Sequence, residues 1–177
     1  MVRIDDAGTG CILGVPVVVG EKNGVVEYVE IKDLQGVIAC DEVFELLNKL
    51  GVEKEEEINI CRGNIFNKFV HKAKQEGYNN INRVVVTDEM QDTAENIFMN
   101  SLYDLGVSRD IVLENKDYVK LHESLCSELL RKPHLIKYVR SHYKLNKHFT
   151  RLIYKIDRLH NEFPHLLSEL LDKKSLL

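Results

Sequence analysis

Tryptophan is absent from this chain, and its 177 residues include only three prolines and ten glycines. So little proline and glycine excludes collagen-like and low-complexity architectures, and a 44% hydrophobic share excludes a disordered chain. Cysteine is sparse as well. Its four copies, Cys11, Cys40, Cys61 and Cys126, are widely spread with no C-x-x-C pair, which argues against a disulfide framework and a structural zinc site. Long hydrophobic runs are also missing: Cys11 to Gly20 falls well short of the roughly 18 residues of a spanning helix. The residues before it, Asp5 and Asp6, are acidic, so it lacks the basic flank of a secretory signal. These absences predict a cytoplasmic protein without membrane contact, its cysteines reduced and mostly buried.

What is present is enough chain for one compact domain, or a domain with a helical appendage. The formal net charge of −4 hides a division: residues 1–130 hold 13 Lys+Arg against 24 Asp+Glu, whereas 131–160 hold nine basic residues against Asp157 alone. A basic block this dense on an acidic chain points to an anionic partner such as nucleic acid, or to docking on the protein's own acidic part.

Residues 2–6, 12–19 and 25–31 read as three strands, the last two joined by a hairpin at Asn23-Gly24. Asp41 can cap a helix presenting Val43, Phe44, Leu46, Leu47 and Leu50, and a short strand follows at 58–61. Asn64 opens a helix that Gly77 ends; 81–87 makes a fifth strand; and Asp88, at capping-box spacing from Gln91, begins a helix that runs to Gly106. The order β-β-β-α-β-α-β-α predicts an α/β domain over 1–112. A helical extension then covers 113–177, with helices near 115–131, 133–144 and 146–172 and no strand after Gly106.

In the last helix Phe149, Leu152, Ile156, Leu159 and Phe163 draw an apolar stripe, while Lys147, Arg151, Lys155 and Arg158 fall on another face. With Arg140 and Lys144 these cations form a candidate nucleic-acid surface. Solvation of the helix, or a clamp over the acidic domain, explains the same charges. The apolar stripe is a candidate homodimer interface. Zinc is not indicated by His134, His142, His148 and His160, since none has another histidine at i+3 or i+4.

Within I-D-D-A-G-T-G-C the first strand delivers Asp5 and Asp6 into a glycine-bearing turn. They read either as turn chemistry or as ligands of a metal or phosphate. At Asp6-Ala7-Gly8 and in element order the sequence resembles the ribonuclease H-like superfamily, in particular its resolvase-like nucleases. Members share three antiparallel strands followed by alternating helices and parallel strands, and many carry D-x-G at the end of strand one. That resemblance implies a mixed five-stranded sheet with flanking helices and a magnesium- or manganese-dependent nuclease acting on DNA or RNA. Asp6, Asp92 and Glu95 would be catalytic, and the metal would rest on Asp5, Asp6, Asp92 and Glu95, because hard cations take oxygen ligands. Asp88 and Glu89 read better as helix-start residues.

The same resemblance calls for a glutamate at the end of strand four, where this chain has Cys61. Either Asp5 joins Asp6, or one metal binds, or the chain is an inactive member; Cys61 itself reads as core packing. The stretch Asp6, Gly8, Thr9, Gly10 also resembles the phosphate-binding D-x-G-T of sugar kinases and actin-like ATPases, which makes Gly8, Thr9 and Gly10 candidate phosphate contacts. Arg62, in R-G-N, is another, although capping by Asn64 explains those letters without a ligand.

Overall fold

A computed structural model of the protein describes residues 1–31, 39–87, 89–114 and 118–140, with 154, 158, 161 and 162. The chain divides into two compact units: Met1–Cys11 with Val15–Ser101, and Ile12–Gly14 with the described part of Leu102–Leu177.

The first unit opens with β1 (Val2–Ala7), β2 (Val17–Lys22) and β3 (Val25–Glu30), paired antiparallel in succession. Asn23 and Gly24 take φ of 53° and 80°, the left-handed pair whose twist suits a two-residue hairpin. β4 (Ile58–Cys61) then pairs parallel with β1, and β5 (Ile81–Val84) parallel with β4. Parallel neighbours need a crossover, and α2 (Asn67–Gln75) supplies the one between β4 and β5. The result is a five-stranded mixed sheet of order β3-β2-β1-β4-β5 with helices alongside it, the α/β class expected from the sequence.

Strand alternation turns Val2 and Ile4 of β1, and Ile58 and Ile60 of β4, into one core with Val43, Leu46 and Leu47 of α1 (Asp41–Lys49) and Phe69 of α2. Phe44 meets Phe69 edge-on at 5.1 Å between ring centroids. Further along, α3 (Glu89–Asp104) buries Met90, Ala94, Phe98 and Leu102, one residue every four.

Several boundaries differ from the sequence reading. β2 starts at Val17 rather than at 12, because Ile12–Gly14 belongs to the second unit. β5 stops at Val84 because its partner β4 ends at Cys61, the residue opposite. Cys40 holds the cap position of α1, with no side-chain cap bond, and Asp41 is the first helical residue. Asp88 lies outside the described residues.

In the second unit α4 (Arg109–Glu114) precedes α5 (Tyr118–Arg131), which buries Leu121, Leu125 and Leu129 at four-residue spacing. Over the described part of the helix expected at 133–144 the chain instead forms a 3-10 turn, Pro133–Tyr138, ending in extended backbone, and 141–144 lie outside the described residues. Long-range pairing wins there: Val139 bridges Leu13, and the Arg140 amide donates to the Ile12 carbonyl at 3.1 Å. The apolar stripe from Phe149 to Phe163 lies outside the described residues.

Glu128 of α5, only 1% exposed, accepts from the Ser108 amide at 3.0 Å and hydroxyl at 2.6 Å, and pairs with Lys132 at 2.8 Å. Burial pushes its pKa up, but these bonds outweigh burial and hold it below the usual glutamate range. A depressed folded pKa stabilises above the unfolded pKa, and that contribution fades as pH falls through the folded value. Glu128→Gln is therefore expected to cost about 1–3 kcal/mol in urea unfolding at neutral pH. The difference from wild type should shrink on acidification.

Candidate metal centre

β1 and β4 run parallel, so both release their last residues at the same edge of the sheet, the usual place for chemistry in such folds. Ile4 lies opposite Ile60, which brings Asp5 level with Cys61 one step on. Asp5 and Asp6 leave β1 on opposite faces by alternation, yet at the strand end both reach the sulfur. One ligand atom from each of Asp5, Asp6 and Cys61 lies within 4.8 Å of the others, the only such cluster among the described residues.

The turn beyond β1 fixes this arrangement. The Thr9 hydroxyl donates to Asp6 Oδ2 at 2.9 Å, and the Cys11 amide donates to the Gly8 carbonyl at 3.0 Å. Gly8 has φ 79°, and a Cβ there would lie 2.3 Å from Cε2 of Phe98, so the aromatic ring occupies the space a side chain would need. On the β4 side the Cys61 thiol donates to Asp6 Oδ1 at 3.5 Å and receives the Gly63 amide at 3.3 Å. Arg83 of β5 holds that loop from behind, donating to the Gly63 carbonyl at 2.7 Å and to Asn67 at 2.9 Å.

Asp5 is 6% exposed and Asp6 half-buried, and neither has an ion-pair partner among the described residues. Burial raises both carboxyls above the usual range; hydrogen bonds from Thr9 and Cys61 recover part of this for Asp6. The charges of Asp6 and Glu95 push Asp5 further up. Burial, with the two carboxylates beside it, pushes the Cys61 thiol up to about 12. Two carboxyls and a thiol are thus gathered with no cationic side chain paired to them among the described residues, an arrangement that a divalent cation relieves.

The candidates named from sequence separate accordingly. Asp5 and Asp6 come together. Glu95, half-buried on α3 and bonded by Gln91 at 3.2 Å, is close enough for its charge to act on Asp5, whereas Asp92 is exposed and lies outside the cluster. Gly8 is buried under Phe98, the Thr9 hydroxyl is turned onto Asp6, and Gly10 and Arg62 are exposed. Arg140 is buried, its guanidinium donating to the Gly14 carbonyl at 3.1 Å, and Arg158 is exposed beside Glu162 at 2.6 Å. Lys144, Lys147, Arg151 and Lys155 lie outside the described residues.

Cys61, which the sequence reads as core packing, does pack against the core; it is half-buried, and its sulfur is also turned to the acids. Arg83 was missed altogether, and only its position in a predicted strand beside the site could have marked it. Two carboxylate oxygens with no ion-pair partner among the described residues fit one divalent cation, but the donor from β4 is a thiol, which magnesium does not favour. Among the described residues no helix is long and apolar enough to cross a membrane. No family model matches the chain, and no curated protein emerges as a relative.

Proposed function

We propose that this protein is a divalent-cation-dependent phosphodiester hydrolase of ribonuclease H-like architecture, acting on structured DNA or RNA. The convergence of Asp5, Asp6 and Cys61 at the ends of two adjacent parallel strands carries the reading. Three antiparallel strands followed by two parallel ones support the architecture. Asp5 and Asp6 would hold the ion, Thr9 would orient Asp6, and Glu95 would add negative potential from α3. When bound, a divalent cation supplies a Lewis acid for a phosphoryl oxygen. The basic block from Arg131 to Arg158, apart from the buried Arg140, would hold the strand, and the Phe149–Phe163 stripe would join two copies.

A second reading is a nucleic-acid-binding or assembly module that keeps the fold without turnover, favoured by a thiol where the resemblance calls for an acid. Cleavage of branched and hybrid substrates by wild type and Asp6→Asn separates the two. A hydrolase loses more than roughly 100-fold in rate, beyond the cost of an outer-shell partner, while retaining binding. No cleavage by wild type under any divalent ion leaves the binding module. In either case, neutralising Lys147, Arg151 and Lys155 together should reduce the slope of log K against log salt by about 2–3. An unchanged slope would remove these residues from the interface.

A further inference from the structure

We infer that the centre formed by Asp5, Asp6 and Cys61 is built for a thiophilic divalent ion of the zinc class, held by two carboxylate oxygens and one thiolate, rather than for magnesium. The inference deepens the metal-centre reading above and rests on it. Zinc bonded to sulfur at about 2.3 Å and to oxygen at about 2.0 Å, at a tetrahedral angle, sets sulfur and oxygen about 3.5 Å apart. Cys61 Sγ and Asp6 Oδ1 are 3.5 Å apart. In the metal-free chain a thiol proton sits between them, and metal entry releases that one proton to solvent.

Two further observations point to an occupant. A Cβ on Gly63 would stand 3.0 Å from Asp6 Oδ1 and 3.5 Å from Cys61 Sγ, so the glycine keeps the space beside two of the three ligand atoms clear. Asp5, more than nine-tenths buried, is turned into the same cluster with no cation to balance it among the described residues. The Gly63 amide already donates to the sulfur, and Arg83 fixes Gly63 through its carbonyl, an outer shell of the kind that orients a thiolate ligand. Three protein ligands leave a fourth tetrahedral position for substrate, the pattern of catalytic rather than structural zinc. Soft sulfur selects zinc, cobalt or cadmium over magnesium.

Cobalt(II) added to the reduced full-length protein tests this directly, with zinc(II) as competitor and magnesium in excess. The expected result is a thiolate-to-cobalt charge-transfer band that zinc abolishes, magnesium leaves intact, and both Cys61→Ser and Asp6→Asn lose. Cys61→Ser should also weaken zinc by at least the roughly 10–100-fold that an outer-shell partner is worth. Far-ultraviolet circular dichroism confirms that each variant is folded; should Asp6→Asn not fold, Cys61→Ser decides alone. Binding of cobalt or magnesium that needs Asp6 but shows no sulfur band overturns the inference and leaves the hydrolase reading standing. A band that survives in folded Cys61→Ser assigns the sulfur to another cysteine and also overturns it. No binding of any ion overturns both.

Discussion

Asp6→Asn is expected to stabilise the metal-free protein at neutral pH while removing its affinity for divalent ions. Asp6 is buried enough for its carboxyl to sit above the usual range, and its neighbours are Asp5 and a thiol rather than a cation. A raised folded pKa means that stability falls as pH rises from the unfolded value through the folded one, because the native state must give up a proton it holds more tightly. An amide has the same shape, still accepts from Thr9, and carries no charge. We expect a gain of roughly 1–2 kcal/mol at pH 7, about 2–8 °C in Tm, vanishing in acid where wild type is already protonated. Zinc or cobalt should raise the Tm of wild type and leave that of the variant unchanged. Calorimetric scans at two pH values, with and without metal, check all four quantities. A loss of stability at pH 7 would mean that Asp6 is a structural turn residue.

The second large effect is steric. Gly8→Val should destabilise the protein by about 2–5 kcal/mol, from the left-handed backbone and from overpacking. Its φ of 79° resists any branched side chain, and the new Cβ would collide with Phe98, which is fully buried. Because the two sites touch, their effects are not additive. In a Phe98→Leu background the same substitution should cost less, with a coupling of roughly 0.5–3 kcal/mol in urea unfolding. Additive losses would place the whole penalty in the backbone. Phe98 therefore connects α3, which also carries Glu95, to the turn that aims Asp6.

Local features of this fold were legible in the sequence. Asn23-Gly24 marks its hairpin, the spacing of Val43, Leu46 and Leu47 marks the buried face of α1, and Gly77 and Gly106 sit at left-handed helix ends. The acid pair was legible too, because strand one ends in a glycine turn. What sequence could not give is register between distant segments. Cys61 reaches Asp6 only because a four-residue strand pairs parallel with β1 at one particular offset, and 55 positions separate the two residues. Arg83 acts on Gly63 across another strand, and Val139 turns extended because Leu13 is there to pair with it. Helical periodicity over 133–140 was outweighed by that pairing, and burial of Arg140 followed from it.

The central claim, that Asp5, Asp6 and Cys61 form a metal centre, is tested most directly by anomalous diffraction from crystals of the reduced protein grown with cobalt(II) or zinc(II). The account predicts one strong anomalous peak bonded to Cys61 Sγ and to an oxygen of both Asp5 and Asp6, absent from Asp6→Asn crystals grown in the same way. Peaks confined to surface histidines, with the Cys61 thiol still hydrogen-bonded to Asp6, would contradict it.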